Sequence, residues 1–277
     1  MDQLVTDLIK YFLDEGDHPV IDIPKNYINK RDFLRGLINV REAKPIPDSI
    51  ISKENELLKL ELDNKKVIDI NDFSDKFTLW QGDITCIKCD AVVTPASPNL
   101  LGCFTPNHNC VDNKIHTYAG ISLRLKCREI TRGSTIETSK VTLTKGYNLP
   151  CTSIIHTVKP EITTMDEETI EYIKDFYYNS FELSKKNNIK TIVIPNLFSK
   201  DPLLKKEIAK VTTSFIKNYI KEDTYFDKIV FNVFTLDYYN MYQELFNENY
   251  IVFILNCLNM VFQNVIIYIE NRWLYGE

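Results

Sequence analysis

Glycine is scarce in this chain: there are eight among 277 residues, and none between Gly146 and Gly276. Glycine serves where the backbone takes a positive φ or approaches a ligand closely. Five of the eight (Gly82, Gly102, Gly120, Gly133, Gly146) fall between 82 and 146, so site-building loops are expected there. Basic charge is also short, with 33 Lys and Arg against 38 Asp and Glu and a formal charge of −5. That balance excludes electrostatically driven nucleic-acid binding, which needs a concentrated basic surface. The start lacks a basic, apolar leader: Met1 to Phe12 is amphipathic and carries Asp2 and Asp7. The seven cysteines are odd in number and irregularly spaced, so no disulfide framework is implied, and a reducing, cytoplasmic setting is expected.

Charge is missing altogether from Tyr250 to Ile269. Length alone would let this run span a membrane. Asn256, Asn259, Gln263 and Asn264 interrupt it, however, and its Ile, Val, Phe and Tyr suit a buried strand or a packed helix. Residues 248–277 are therefore expected to form an apolar C-terminal tail, buried against the domain or against a partner chain, which offers a route to self-association.

The rest of the chain alternates helical and strand-like patterns. Leu4, Val5, Leu8, Ile9, Phe12 and Leu13 repeat at helical spacing, and further helices are expected over Lys30 to Ile38 and Ser49 to Asp63, giving an N-terminal helical extension over 1–75. Over 76–247, strands are expected at Phe77 to Trp80, Ala91 to Val93, Ser139 to Leu143, Ser153 to Thr157, Thr191 to Ile194 and Lys228 to Phe234. Helices are expected over Val111 to Thr131, Glu167 to Lys186 and Leu203 to Lys221. Such alternation implies an α/β fold with a mixed, mostly parallel sheet covered on both faces, and ligands bound at the C-terminal ends of its strands.

What is present in abundance is metal-ligand chemistry in one loop. Cys103, His108 and Cys110 are spaced Cys-x4-His-x-Cys, with Gly102 before the first thiol and Pro106 inside the loop. Two thiolates and an imidazole suit zinc. Three ligands in a single loop leave one coordination position for water or substrate, whereas a structural site closes with four. Cys86 and Cys89 form a Cys-x-x-Cys pair in a strand-rich context and read as ordinary small residues rather than a redox pair or a source of a fourth ligand. His116 and His156 read as packing histidines. Asp112 reads as the start of the following helix, and Asp83, beside Gly82, either caps a turn or accepts a hydrogen bond from an exocyclic amine.

Three stretches carry a resemblance: TLWQGDIT (Thr78 to Thr85), LLGCFTPNHNCVDNKIH (Leu100 to His116) and GYNLPCTSIIHTV (Gly146 to Val158). They resemble the zinc-dependent macrodomains, microbial protein-ADP-ribose hydrolases, from the N-terminal segment to about Asn247. The resemblance implies a three-layer α/β/α macrodomain carrying an N-terminal extension. It implies removal of mono-ADP-ribose from modified proteins, with one Zn²⁺ per chain on Cys103, His108 and Cys110 beside the distal ribose. It also implies that Asp83 meets adenine with the Ile84 backbone beside it. Such a zinc could polarise an ester oxygen or lower the pKa of a bound water, either of which would help cleave ribose from an aspartate or glutamate side chain.

The chain departs from that family at two loops. Thr94-Pro95-Ala96-Ser97 stands where the family has Asn-Ala-Ala-Asn against the distal ribose; Ser97 keeps one hydroxyl, and Pro95 removes an N–H from that loop. After Thr191 to Ile194 the family's Ser-Thr-Gly loop wraps the diphosphate. Here the loop reads Asn196-Leu197-Phe198-Ser199-Lys200 without a glycine, leaving Leu197 and Phe198 against the ligand and Lys200 in solvent. Lys159 also stands for a family glycine. The expected activity is thus hydrolysis of ADP-ribose from acidic side chains. The alternative is a catalytically degenerate macrodomain that binds ADP-ribose or a partner protein.

Overall fold

The computed structural model describes residues 1–16, 22–199 and 201–247. Lys200 and the apolar tail 248–277 lie outside the described residues, and with them the questions of membrane and self-association raised by that tail. No helix among the described residues is long and apolar enough to cross a membrane.

Three helices come first: α1 (Asp2–Glu15), α2 (Tyr27–Val40) and α3 (Asp48–Asp63). Their apolar stripes meet in one cluster of Val5, Leu8, Ile9, Phe12, Leu34, Ile38 and Leu57, which also takes in Ile121 from much later in the chain. Asn26 caps α2 by accepting from the Asn29 N–H at 2.8 Å. We call this three-helix unit the annex.

A parallel pair of two-residue strands, β1 (Ile68–Asp69) and β3 (Ile87–Lys88), brackets β2 (Phe77–Gln81). The main sheet is built from β2, β4 (Ala91–Ala96), β5 (Val141–Lys145), β6 (Ser153–Val158), β7 (Thr191–Pro195) and β8 (Lys228–Val233), in the order β2-β8-β7-β4-β6-β5. All neighbours are parallel except β5, which runs antiparallel along β6. The central strands are apolar on both faces, as parallel strands between helix layers must be. Val92, Ile154, Val193 and Val230 face α4 (Val111–Ala119) and α5 (Ile121–Thr131). Their neighbours Val93, Ile155, Ile194 and Phe231 face α6 (Glu167–Lys186) and α7 (Pro202–Glu222). The result is the three-layer α/β/α arrangement expected from the alternation, with the annex packed outside α4 and α5.

Three expectations change. The helix expected over Val111 to Thr131 is two helices, broken at Gly120, whose φ of 93° and ψ of 173° only glycine adopts without strain. The apolar period runs through the break because α4 and α5 both face the sheet. Thr94, Pro95 and Ala96, expected in a loop, are the last residues of β4, and Pro95 pairs with Thr157 of β6. The Ala96 carbonyl accepts from Lys159 N–H on the β6 side, so the adjacent Pro95 has its missing N–H on the opposite side, past Val92, where the β7 ladder ends. Proline therefore costs this strand no ladder bond. The strand expected at Ser139 to Leu143 begins two residues later, at Val141, after Ser139 takes a φ of 62°.

Candidate active site

The C-terminal ends of β4 and β7 open onto the two loops that the sequence marks. Between β4 and α4 the chain turns at Leu100, with φ 56°, and at Gly102, with φ 81°. A Cβ on Gly102 would lie 2.7 Å from Cγ of His116, so the loop closes over that ring only because a hydrogen stands there. Beyond it, Cys103 Sγ lies 3.3 Å from His108 Nδ1, and these two atoms and Cys110 Sγ all lie within 4.8 Å of one another. An ion with bonds of about 2.0–2.3 Å holds such atoms about 3.3–4 Å apart, so the set fits a thiophilic metal after a small contraction. Among the described residues no fourth His, Cys, Asp or Glu joins them.

Cys110 is also the N-cap of α4: its Sγ accepts from the Asn113 N–H at 3.4 Å. Burial pushes its thiol up to about 12, and a bound cation would displace that proton. The helix N-terminus favours the anion that would result.

Asp83, expected at adenine, is engaged by its own turn. Oδ1 accepts from Thr85 N–H at 3.1 Å and Thr85 Oγ1 at 2.7 Å, capping the 3-10 turn Ile84–Cys86. Oδ2 faces Lys65 Nζ at 3.9 Å and Lys114 Nζ at 3.8 Å. Lys114 lies over the ring of Phe234, 4.1 Å from its centroid, and burial lowers its pKa. The Ile84 side chain is in the core. Ser97 donates to Asn99 Oδ1 at 2.8 Å, and the same oxygen accepts from Leu101 N–H at 3.0 Å, so Ser97 offers a ligand its lone pairs.

After β7, Leu197 is buried and its N–H donates to Tyr177 Oη at 3.2 Å, while Tyr177 donates to the Pro195 carbonyl at 3.2 Å. Phe198 is 62% exposed and leans on Tyr238, 6.1 Å between ring centroids. The loop thus presents one aromatic face and is held from beneath by one tyrosine.

Comparison with known proteins gives the family. The Macro domain family model matches residues 93–212, which run from β4 into α7. A protein-ADP-ribose hydrolase of Staphylococcus aureus is 33% identical over 261 residues, covering 90% of this chain and 96% of that protein. This chain belongs to the macro domain family. A protein-ADP-ribose hydrolase of Treponema medium is 28% identical over 242 residues, covering 82% of this chain and 92% of the relative. The solved Oceanobacillus iheyensis macrodomain with ADP superposes with a TM-score of 0.54 at 29% identity, covering 62% of this chain and 89% of that one.

In this macro domain Asp112 does more than open α4. Buried at the foot of the helix, it accepts from Thr94 Oγ1 at 3.2 Å, tying β4 to α4, and burial raises its pKa to about 6. His116 and His156 stack edge to face at 6.0 Å, with His156 Nε2 3.0 Å from Thr144 Oγ1 and Cys127 Sγ close by. Burial holds both rings neutral, lowering His156 to about 4. Cys89 donates its thiol to the Ala91 carbonyl at 3.3 Å, an ordinary buried contact. Lys65 and Lys114 went unread in the sequence. No spacing rule brings them to Asp83, although Lys114 could have been found by noting that it follows Cys110 by four residues on α4.

Proposed function

We propose that this chain is a zinc-dependent protein-ADP-ribose hydrolase that removes mono-ADP-ribose from aspartate or glutamate side chains. The observation that carries the reading is the Cys103, His108 and Cys110 cluster, two thiols and an imidazole with no fourth ligand among the described residues, in the loop that follows β4 and Ser97. Its support comes also from the relatives named protein-ADP-ribose hydrolase over nine-tenths of the chain. A zinc ion held there would supply Lewis-acid polarisation beside the distal ribose. The protein's own groups do the rest. Asp83 accepts from the adenine amine once its outer oxygen leaves Lys65 and Lys114, Ser97 accepts from a ribose hydroxyl, and Phe198 stacks near the ribose, whose reacting carbon stays open to the water that hydrolysis consumes.

A second reading, an ADP-ribose-binding or protein-interaction module without turnover, is favoured by one observation: Lys114 lies on the Phe234 ring and beside Asp83, so part of the nucleotide surface is already engaged. The two readings separate in a pair of measurements. Calorimetric titration of zinc-loaded and zinc-stripped protein with ADP-ribose, followed by release of ADP-ribose from Glu-modified and Ser-modified proteins, is expected to give binding in both forms and release from the Glu-modified protein by the zinc form alone. Binding without release in either form would favour the ADP-ribose-binding module, and no binding in either form would sink the hydrolase and leave the protein-interaction module.

A further inference from the structure

The metal loop is thinly supported by its own backbone. Residues 105–109 are all exposed, and the hydrogen bond inside them is His108 N–H to the Thr105 carbonyl at 3.2 Å. Its shape comes from elsewhere. Asn113, fully buried in α4, donates its amide to the carbonyls of Cys103 at 3.3 Å and Thr105 at 3.1 Å, gripping the loop from the domain side. The orientation of that amide is set by the annex. Asn39, 1% exposed in α2, accepts from Asn113 Nδ2 at 3.1 Å and from the Asn107 N–H at 3.0 Å. Arg35, one turn earlier on the same helix, donates to Asn113 Oδ1 at 2.7 Å and to the His108 carbonyl at 2.9 Å. Between them Gly36 faces the loop: a Cβ there would stand in ordinary contact with Asn107 and Pro106, at 3.6 and 3.8 Å. From the other end, Arg124 donates to the carbonyls of Ile38, Asn39 and Arg41 and lies 4.7 Å over the ring of Phe104, joining the C-terminus of α2 to the loop.

We infer that the annex is the clamp of the metal loop, with Arg35 and Asn39 as positioning residues that act through Asn113 and the backbone of 103–108 to hold Cys103, His108 and Cys110 in ligating shape. The inference rests on the metal reading of the cluster. Outer partners of this kind restrain ligands that would otherwise sample many geometries, and their loss typically weakens metal binding about 10- to 100-fold.

The test uses the full chain loaded with zinc, and its primary readout is the rate at which zinc passes to a chromogenic chelator. Arg35→Ala is the variant least disturbing to the fold, because Arg35 is only half-buried; Asn39→Ala removes the inner bond. Asn55→Ala is the control: Asn55 is another annex residue tied to the domain, accepting from Asn148 Nδ2 at 2.7 Å, but it lies away from the loop. Arg35→Ala and Asn39→Ala are expected to release zinc about 10- to 100-fold faster than the parent, Arg35→Lys to fall between, and Asn55→Ala to match the parent. In the cobalt-substituted protein the first two should also change the visible d–d bands. Parent-like release from Arg35→Ala and Asn39→Ala, or an equal acceleration in Asn55→Ala, would overturn the clamp while leaving the metal reading intact. A parent chain that binds no zinc would overturn both.

Discussion

Glu54 Oε2, on annex helix α3, accepts the backbone N–H of Ile121 at 2.8 Å and so caps α5 of the domain from outside. The carboxyl is 3% exposed, and burial raises its pKa to about 7 despite the arginines nearby. The folded chain therefore holds a proton on Glu54 that the unfolded chain, with a pKa of about 4.5, has released. The sign follows: this contribution to stability is fully present below about pH 4.5 and is lost as pH rises through about 7. Glu54→Gln keeps an acceptor for Ile121 and removes the titration. Its stability relative to the parent is expected to rise between those pH values, by up to about 3 kcal/mol, in urea melts. A difference that stays flat with pH would remove Glu54 as the titrating group.

Replacing Cys103, His108 or Cys110 with Ala is expected to leave zinc well below one equivalent per chain by elemental analysis, with the fold retained, although Cys110→Ala also gives up the N-cap of α4. Unchanged stoichiometry in any of the three would strike that residue from the ligand set.

The observed cap at Asp83 and the adenine contact proposed for it can be separated. Asp83→Ala should weaken ADP-ribose binding by about 1–3 kcal/mol and cost about 1 kcal/mol of stability through the lost cap. Asp83→Asn keeps an acceptor for Thr85 and should recover most of the stability but not the affinity. Equal affinity in calorimetric titrations of parent and Asp83→Ala would take Asp83 out of the site.

Gly120→Ala places a Cβ at φ 93°, about 3.1 Å from Glu54 Oε2 and Leu58, and so strains both the helix break and the annex contact. A loss of about 1–3 kcal/mol is expected in thermal or urea unfolding. A neutral effect would mean that the α4 to α5 junction relaxes without penalty.

Much of the architecture was legible because it is periodic. Runs such as Thr191 to Ile194 are apolar and β-branched throughout, and α6 was readable to the residue from Glu167 to Lys186. The convergence of Cys103, His108 and Cys110 was legible because they sit within eight residues of one loop. The extent of β4 was not, since a proline argues against a central strand unless one knows that the β7 ladder stops at Val92. Nor was the break at Gly120, because Ile115, Ala119, Leu123 and Cys127 keep one helical period across it. The Asn39 to Asn113 bond was invisible for a different reason. Its partners are 74 residues apart, and polar side chains that meet across a chain leave no period to read.

Ile121 completes the cluster formed by Leu8, Leu34 and Leu57, so the first helices of the chain are closed by a residue made much later. Synthesis runs from the N-terminus, so the annex residues leave the ribosome before Ile121, which covers their apolar face in the finished fold. When the two thiols of the loop emerge, the surface that will receive them is already outside. The order of translation thus delivers the holder before the residues it holds.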